Sequence, residues 1–245
     1  MIEIQGLTVR YGKKVALDNL NLKVGDGESL ILMGPNGSGK TTLLRALLGL
    51  VNHEGKISLN GKQTSSLTRM ELAREIAYVP QIFSTPYTFT VKEFVSMGLY
   101  SLTREWWVED ERIHSILDRV GIYELREKTI NTLSGGELQK AIIARALIQD
   151  SNYILMDEPT AHLDIKSTQE VLELVSNFKE KGTIIVSHDL NALNKLGGSI
   201  LLIRNGKMVF KGVREDPDFK DRIEDTFDTK ISETGGLLYF PLVQR

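Results

Sequence analysis

The sequence contains no cysteine among its 245 residues. This absence excludes disulfides and thiolate metal clusters, and it favours a reducing compartment. The chain also lacks an excess of basic residues, because 30 Lys and Arg stand against 32 Asp and Glu. Binding to nucleic acid through counterion release depends on such an excess, so we expect no nucleic-acid partner. No segment approaches the roughly 20 consecutive apolar residues that span a bilayer, so a membrane role would require a partner protein.

Three continuous apolar runs lead directly into residues that can bind ligands or react. They are 30–33 before Gly34, 153–156 before Asp157, and 183–186 before Ser187 and His188. Continuous runs are typical of strands that are covered on both faces, as in a parallel sheet. Ligands of such sheets bind beyond the carboxyl ends of the strands, so we expect the functional site there.

The first run is followed by a complete phosphate-loop pattern. Its residues are Gly34, Pro35, Asn36, Gly37, Ser38, Gly39, Lys40 and Thr41, and an apolar helix pattern follows directly. Glycines in such a loop let backbone N–H groups converge on phosphate oxygens, and the helix N-terminus favours the same negative charge. We predict that Lys40 reaches the β and γ phosphates and that the Thr41 hydroxyl binds Mg²⁺.

Two carboxylates, Asp157 and Glu158, follow the second run. A buried strand places both at the edge of the sheet on which the phosphate loop is also expected. We predict that Asp157 holds Mg²⁺ through water, whereas Glu158 orients and deprotonates the attacking water.

The rest of the chain divides by its local patterns. Two Asn-Gly pairs, at 60–61 and 205–206, indicate hairpins, so antiparallel β structure accompanies the parallel sheet. Helical patterns dominate between 85 and 150. We therefore predict an α/β fold, with a P-loop nucleotide hydrolase core, an antiparallel β subdomain and an inserted helical subdomain. The boundaries that we expect within one cassette of residues 1–245 are 1–84 and 151–213 for the core with its β subdomain, 85–150 for the helical subdomain and 214–245 for a C-terminal extension. Trp106 and Trp107 are adjacent and cannot share a helix face, so we predict a loop or a helix edge there.

The segment Leu133-Ser134-Gly135-Gly136-Glu137-Leu138-Gln139 has the pattern of a helix start. Ser134 is a predicted N-cap, and Glu137 stands three residues later as in a capping box. A cap alone does not require Gly135 and Gly136, which weaken a helix. Glycines are reasonable where exposed backbone N–H groups must approach an anion closely.

This segment resembles the signature motif of the ATP-binding-cassette family, and the likeness extends over nearly the whole chain in the family's order. Further positions match the family's functional residues: Tyr11 as the adenine-stacking aromatic, Gln81 as the glutamine at the hinge to the helical subdomain, Ala161 to Asp164 as the loop after the acidic strand, and His188 as the switch histidine. Two positions depart from the common pattern, since Lys140 stands where arginine is frequent and Ala161 replaces a hydroxyl residue.

The resemblance implies a set of ATP and Mg²⁺ contacts. The expected catalytic residues are Glu158, His188, Lys40 and Gln81, and the expected metal ligands are Thr41, Gln81 and Asp157. The nucleotide contacts are expected at Tyr11, at Gly34 to Thr42, at Ser134, Gly135 and Gly136, and at Asp164. All of these residues are present in the sequence.

The resemblance also implies how the protein works. Two copies would pair so that ATP lies between the phosphate loop of one and the signature segment of the other, in a homodimer with two equivalent sites. The dimer would sit at the cytoplasmic face of the cell membrane, where integral-membrane permease subunits bind it. An external substrate-binding protein would act with it indirectly.

The segments 89–98, 160–165 and 188–191 resemble cassettes that serve iron-chelate, haem and cobalamin uptake, and Asn191 favours this group over importers of zinc and manganese. The importer of free metal ions therefore remains an alternative. Others are a soluble family member of DNA repair, chromosome organisation or translation, and a binding module that has lost catalysis. One compact cassette, without sustained heptads or cysteine, argues against the former, and the presence of Lys40, Asp157, Glu158 and His188 argues against the latter.

Overall fold

The structure is a computed structural model that describes residues 1–103, 110–178 and 180–240. Trp106 and Trp107, for which a loop or helix edge is predicted, lie outside the described residues. Within the described residues, no helix has the length and hydropathy needed to cross a bilayer.

The strands, in chain order, are β1 (Ile2–Tyr11), β2 (Lys14–Val24), β3 (Ser29–Met33), β4 (Glu54–Leu59), β5 (Lys62–Gln63), β6 (Ile76–Val79), β7 (Tyr153–Asp157), β8 (Gly182–Val186), β9 (Ser199–Arg204), β10 (Lys207–Gly212), β11 (Ser232–Thr234) and β12 (Leu237–Tyr239). The helices are α1 (Lys40–Leu47), α2 (Arg69–Glu75), α3 (Val91–Ser96), α4 (Tyr100–Thr103), α5 (Asp110–Arg119), α6 (Gly135–Ile148), α7 (Ile165–Ser176), α8 (Leu190–Leu196) and α9 (Phe219–Phe227). The mixed α/β fold expected from the sequence is confirmed.

The chain forms two compact units, Met1–Leu67 with Gly182–Arg245 and Thr68–Lys181. In the first unit, strands β2-β1-β4-β5 form an antiparallel sheet, and strands β10-β9-β3-β8 lie side by side in a second, mixed sheet. In the second sheet β3 runs parallel to both β8 and β9. Both Asn-Gly turns have positive φ at both residues, and they join β4 to β5 and β9 to β10, so these hairpin predictions are confirmed.

The second unit pairs β6 with β7 in parallel and surrounds them with helices. Helix α6 packs against α3, α5, α7 and β6, so it is covered on most of its sides. The side chains of Gln139, Ile143 and Ile148 are buried, and that of Leu138 is half-buried. Burial of this extent is expected for the central helix of a unit.

Capping boxes start three helices of this unit. Thr68, Thr90 and Ser134 each accept a hydrogen bond from the backbone of a glutamate three residues later, whose carboxylate returns to the backbone N–H of the cap. The box that the sequence predicts at Ser134 is confirmed. Such reciprocal bonds fix where a helix begins, and the box at Ser134 sets the position of the signature segment.

Candidate functional site

The phosphate-loop pattern forms a tight turn between the buried strand β3 and helix α1. Gly34 and Gly39 have φ of 154° and 112°, in the region that side chains avoid. A Cβ at Gly34 would lie 2.1 Å from the carbonyl oxygen of Ile203, and one at Gly39 would lie 2.7 Å from that of Ala16. Only glycine therefore fits at these two positions.

Lys40 is buried at the first position of α1, with 6% of its surface exposed. Its ammonium donates hydrogen bonds to the carbonyl oxygens of Gly34, at 2.7 Å, and Pro35, at 3.0 Å. These bonds hold the positive charge at the loop. The Oγ of Ser38 is buried beside the Cα of Gly34 and has no hydrogen-bond partner among the described residues. A buried donor without a partner suits a loop that binds an anion.

In the second unit, the ends of β6 and β7 bring Gln81 and Glu158 together. Val79 pairs with Met156 in the parallel register, and Gln81 and Glu158 each lie two residues after that pair. The Nε2 of Gln81 donates to the Oε2 of Glu158 at 2.9 Å. Glu158 has φ of 48°, a left-handed conformation that costs roughly 1–2 kcal/mol outside glycine. Asp157, one residue earlier, is 2% exposed.

The signature segment begins α6 in the same unit. The Ser134 backbone N–H donates to Glu137 at 2.8 Å, and this bond is the largest cause that lowers the pKa of the Glu137 carboxyl. Gly136 is buried, and a Cβ there would lie 2.4 Å from the Oγ of Ser167 and 2.8 Å from its Cβ. At Gly135 the nearest atom would be a methyl of Leu163 at an ordinary 3.5 Å. Packing inside the chain therefore explains the second glycine, a reason that the sequence does not reveal.

Asp164 caps helix α7. Its carboxylate accepts bonds from the backbone N–H of Ser167 at 2.8 Å and from its hydroxyl at 3.1 Å. The backbone bond is the first cause of the lowered pKa of Asp164. Lys140, the residue that departs from the family's frequent arginine, pairs with Glu170 of α7 at 2.6 Å. The loop at 161–164 and the signature segment are thus joined through α7.

Tyr11 and His188 complete the predicted site residues, and both lie in the first unit. Tyr11 ends β1 and is 45% exposed, which leaves the ring accessible to a stacking partner. His188 follows β8, is exposed, and lines the same cavity as Gly34, Pro35 and Asn36. Thr41 and Thr42, which follow Lys40 in the first turn of α1, are half-buried.

Comparison with known proteins identifies the family to which a chain with these elements belongs. The family described as ABC transporter matches residues 17–161, more than half of the chain. The chain belongs to the ABC transporter family. The resemblance predicted from the signature segment is thereby confirmed, and the chain is an ABC ATPase domain.

The ABC cassette is similar to proteins of known name over most of its length. The ferric enterobactin transport ATP-binding protein FepC of Escherichia coli is 38% identical over 84% of this chain and 79% of its own. The hemin import ATP-binding protein HmuV of Shewanella denitrificans is 34% identical over 93% of each chain. Among solved structures, the dimeric post-hydrolysis state of the cassette MJ0796 bound to ADP and Pi has a TM-score of 0.77 at 28% identity, covering 87% of this chain and 98% of that one.

The cassette also places residues at the site that sequence reasoning missed. Phe227, Thr229 and Phe240 line the cavity of about 370 Å³ that His188 and the rim of the phosphate loop share. They come from the charge-rich end of the chain, where neither spacing nor periodicity indicates a site.

Proposed function

We propose that this chain is the ATP-hydrolysing subunit of an importer that takes up an iron chelate, haem or cobalamin through separate membrane subunits. The hydrogen bond between Gln81 and Glu158 carries the ATPase part of the proposal, because it holds a carboxylate in a strained position at the end of a buried strand. The relatives named for ferric enterobactin and hemin support the choice of cargo. Their likeness covers most of each chain.

The phosphate loop binds the phosphates of ATP in this proposal. Three groups would attract the negative charge of the phosphates. They are the backbone N–H groups of the loop, the N-terminus of α1 and the ammonium of Lys40. The Ser38 hydroxyl offers a buried donor that has no partner among the described residues. Tyr11 stacks on the adenine, and Thr42 extends the loop's contacts with phosphate oxygens.

The residues proposed for Mg²⁺ offer oxygen donors of the kind that this ion prefers: the hydroxyl of Thr41, the carboxylate of Asp157 and the amide oxygen of Gln81. The amide nitrogen of Gln81 donates to Glu158, so its oxygen is oriented away from that carboxylate. The donor set therefore fits the ion. When bound, Mg²⁺ would neutralise charge on the phosphates.

Glu158 is proposed to accept the proton of the attacking water. Its carboxylate is half-buried, and one of its oxygens already accepts a hydrogen bond from Gln81. This bond orients the carboxylate, and the other oxygen is proposed to hold the water for attack on the γ-phosphate. His188 is proposed to contact the γ-phosphate from the neighbourhood of the loop rim, with which it shares a cavity.

The proposed assembly is a homodimer in which Ser134, Gly135, Gly136 and Asp164 of one copy complete the ATP site of the other. The dimeric state of the MJ0796 cassette supports this arrangement. Closure around ATP and opening after hydrolysis would provide the motion that drives transport.

The membrane partner is proposed to bind near Gln81 at the cytoplasmic face of the membrane, and an external substrate-binding protein would deliver the cargo to it. Large exposed apolar side chains support this location. Ile82 follows Gln81 and is 75% exposed, Tyr87 is 67% exposed, and Tyr100 at the start of α4 is 54% exposed. Tyrosine is enriched at protein interfaces relative to the rest of the surface. A partner bound here would sense whether Gln81 contacts Glu158.

We expect vesicles that contain this cassette with its membrane subunits to accumulate a ferric chelate, haem or cobalamin when ATP is supplied. The measurement is uptake of each cargo and of free Zn²⁺, supplied together with the binding protein. Vesicles with a Glu158→Gln cassette serve as the matched control, and they should accumulate none. Uptake of free metal alone, or outward transport of any of these substrates, would contradict the proposed cargo while leaving the ATPase chemistry intact.

A further inference from the structure

The C-terminal extension, residues 214–240, is built into the first unit at several points. The side chain of Asn194 on α8 donates to the carbonyl oxygen of Leu238 at 2.9 Å and accepts from its backbone N–H at 3.1 Å. Arg214 donates to the same Asn194 at 3.2 Å and binds Glu233 at 3.0 Å. The hairpin of β11 and β12 is thus tied to the helix that begins just after His188.

The extension shares one apolar core with β3, which precedes the phosphate loop, and with α8, which follows His188. The strand β3, which ends at Gly34, contributes Ile31 and Met33 to this cluster, and α8 contributes Leu190 and Leu193. The extension supplies four further buried members: Phe219, Ile223, Ile231 and Leu238. Movement of the extension would therefore shift β3 and α8, and with them the phosphate loop and His188, because close-packed cores transmit strain.

The cavity beside the loop shows where the extension meets the site. One part of its lining is Gly34, Pro35, Asn36 and His188, and the other part is Phe227, Thr229 and Phe240. The two phenyl rings pack on each other, with centroids 5.5 Å apart and planes tilted by 57°. Paired rings form a stiff wall, because each has few rotatable bonds and fixes the other.

We propose that the Phe227–Phe240 pair positions the imidazole of His188 beside the rim of the phosphate loop for hydrolysis. The pair limits the space that the exposed imidazole and the residues at 35–36 can occupy. This inference rests on the proposed function, in which His188 contacts the γ-phosphate. Neither Lys40 nor Tyr11 lines this cavity, so we expect the pair to act on the rate after ATP is bound and not on ATP binding.

Phe240→Ala should lower kcat for ATP about 10-fold, since small losses of positioning are costly in rate, and should leave KM within about twofold. Leu237→Ala is the matched control, because Leu237 lies in β12 three residues before Phe240, is 57% exposed, and belongs to neither the core cluster nor the cavity lining. Phe240→Leu, which keeps most of the apolar volume, should recover most of the rate. Melting temperatures of all variants would show whether each is folded at the assay temperature.

A double-mutant cycle with His188→Ala separates positioning from simple support of the fold. If Phe240 acts through the imidazole, Phe240→Ala should cause little further loss of kcat in the His188→Ala protein. Equal losses in both backgrounds would overturn the proposal, and so would equal rates for Phe240→Ala and Leu237→Ala. A wild-type protein without ATPase activity would instead overturn the proposed function, so the two failures are distinguishable.

Discussion

Glu158→Gln should lower the steady-state rate of ATP hydrolysis by about 10² to 10⁴, the range for a lost general base. Glutamine has the shape of glutamate and can still accept the hydrogen bond that Gln81 donates at 2.9 Å. It cannot take a proton from water at neutral pH. The substitution removes no contact with a phosphate. ATP affinity should therefore remain within about threefold of wild type, which is less than about 1.4 kcal/mol of binding free energy. Turnover and equilibrium titration with ATP measure the two quantities separately.

A matched control for this change is Glu173→Gln, which alters the charge of an exposed residue on α7. Its turnover should equal that of wild type. A Glu158→Gln protein with normal turnover would remove Glu158 from the role of general base, whatever its binding affinity.

Gly136→Ala should lower ATP hydrolysis by about 10², because a displacement of about 1 Å at a site can have an effect of that size. The added methyl would lie 2.4 Å from the Oγ of Ser167 and 2.8 Å from its Cβ. The hydroxyl could rotate away, but the Cβ can move only with the backbone of α7. The start of α6 would therefore shift relative to α7, and the signature segment would shift with it.

Changes at Ser167 provide the control for this prediction. Ser167→Gly removes both clashing atoms, and the nearest remaining atom would be its Cα at an ordinary 3.8 Å. The Gly136→Ala/Ser167→Gly protein should recover much of the activity, although glycine within a helix costs about 1 kcal/mol. Ser167→Ala removes only the hydroxyl and should restore little. If the Gly136→Ala/Ser167→Gly protein is as inactive as Gly136→Ala alone, Gly136 is required for the approach of the nucleotide and not for packing on Ser167.

Local sequence patterns predict many of the strands, turns and helix starts of this protein. The runs before Gly34, Asp157 and His188 became β3, β7 and β8, since continuous apolar segments between loops have few alternatives to buried strands. The capping box at Ser134 and the Asn-Gly turns followed from interactions within four residues. Such signals are readable because both partners stand close together in the sequence.

The long-range contacts could not be predicted in this way. Gln81 and Glu158 are 77 positions apart, and only the parallel register of β6 and β7 brings them together. The packing of Gly136 on Ser167 and the cavity wall at Phe227 likewise depend on how helices and strands are arranged in space. Nothing in the local spacing of these residues encodes a contact. The resemblance to the family supplied roles for Gln81 and His188, but it gave none for the C-terminal extension.

We propose that ATP joins two copies of this cassette through the signature segment of each. The molar mass of the Glu158→Gln protein, measured by light scattering after size exclusion with and without Mg-free ATP, tests this dimerisation. We predict the monomer mass without nucleotide and twice that mass with ATP, because ATP is bound and not consumed. The same protein carrying Ser134→Arg should bind ATP and remain a monomer. Dimerisation of the Ser134→Arg variant with ATP, or an unchanged mass of Glu158→Gln in ATP, would contradict the account.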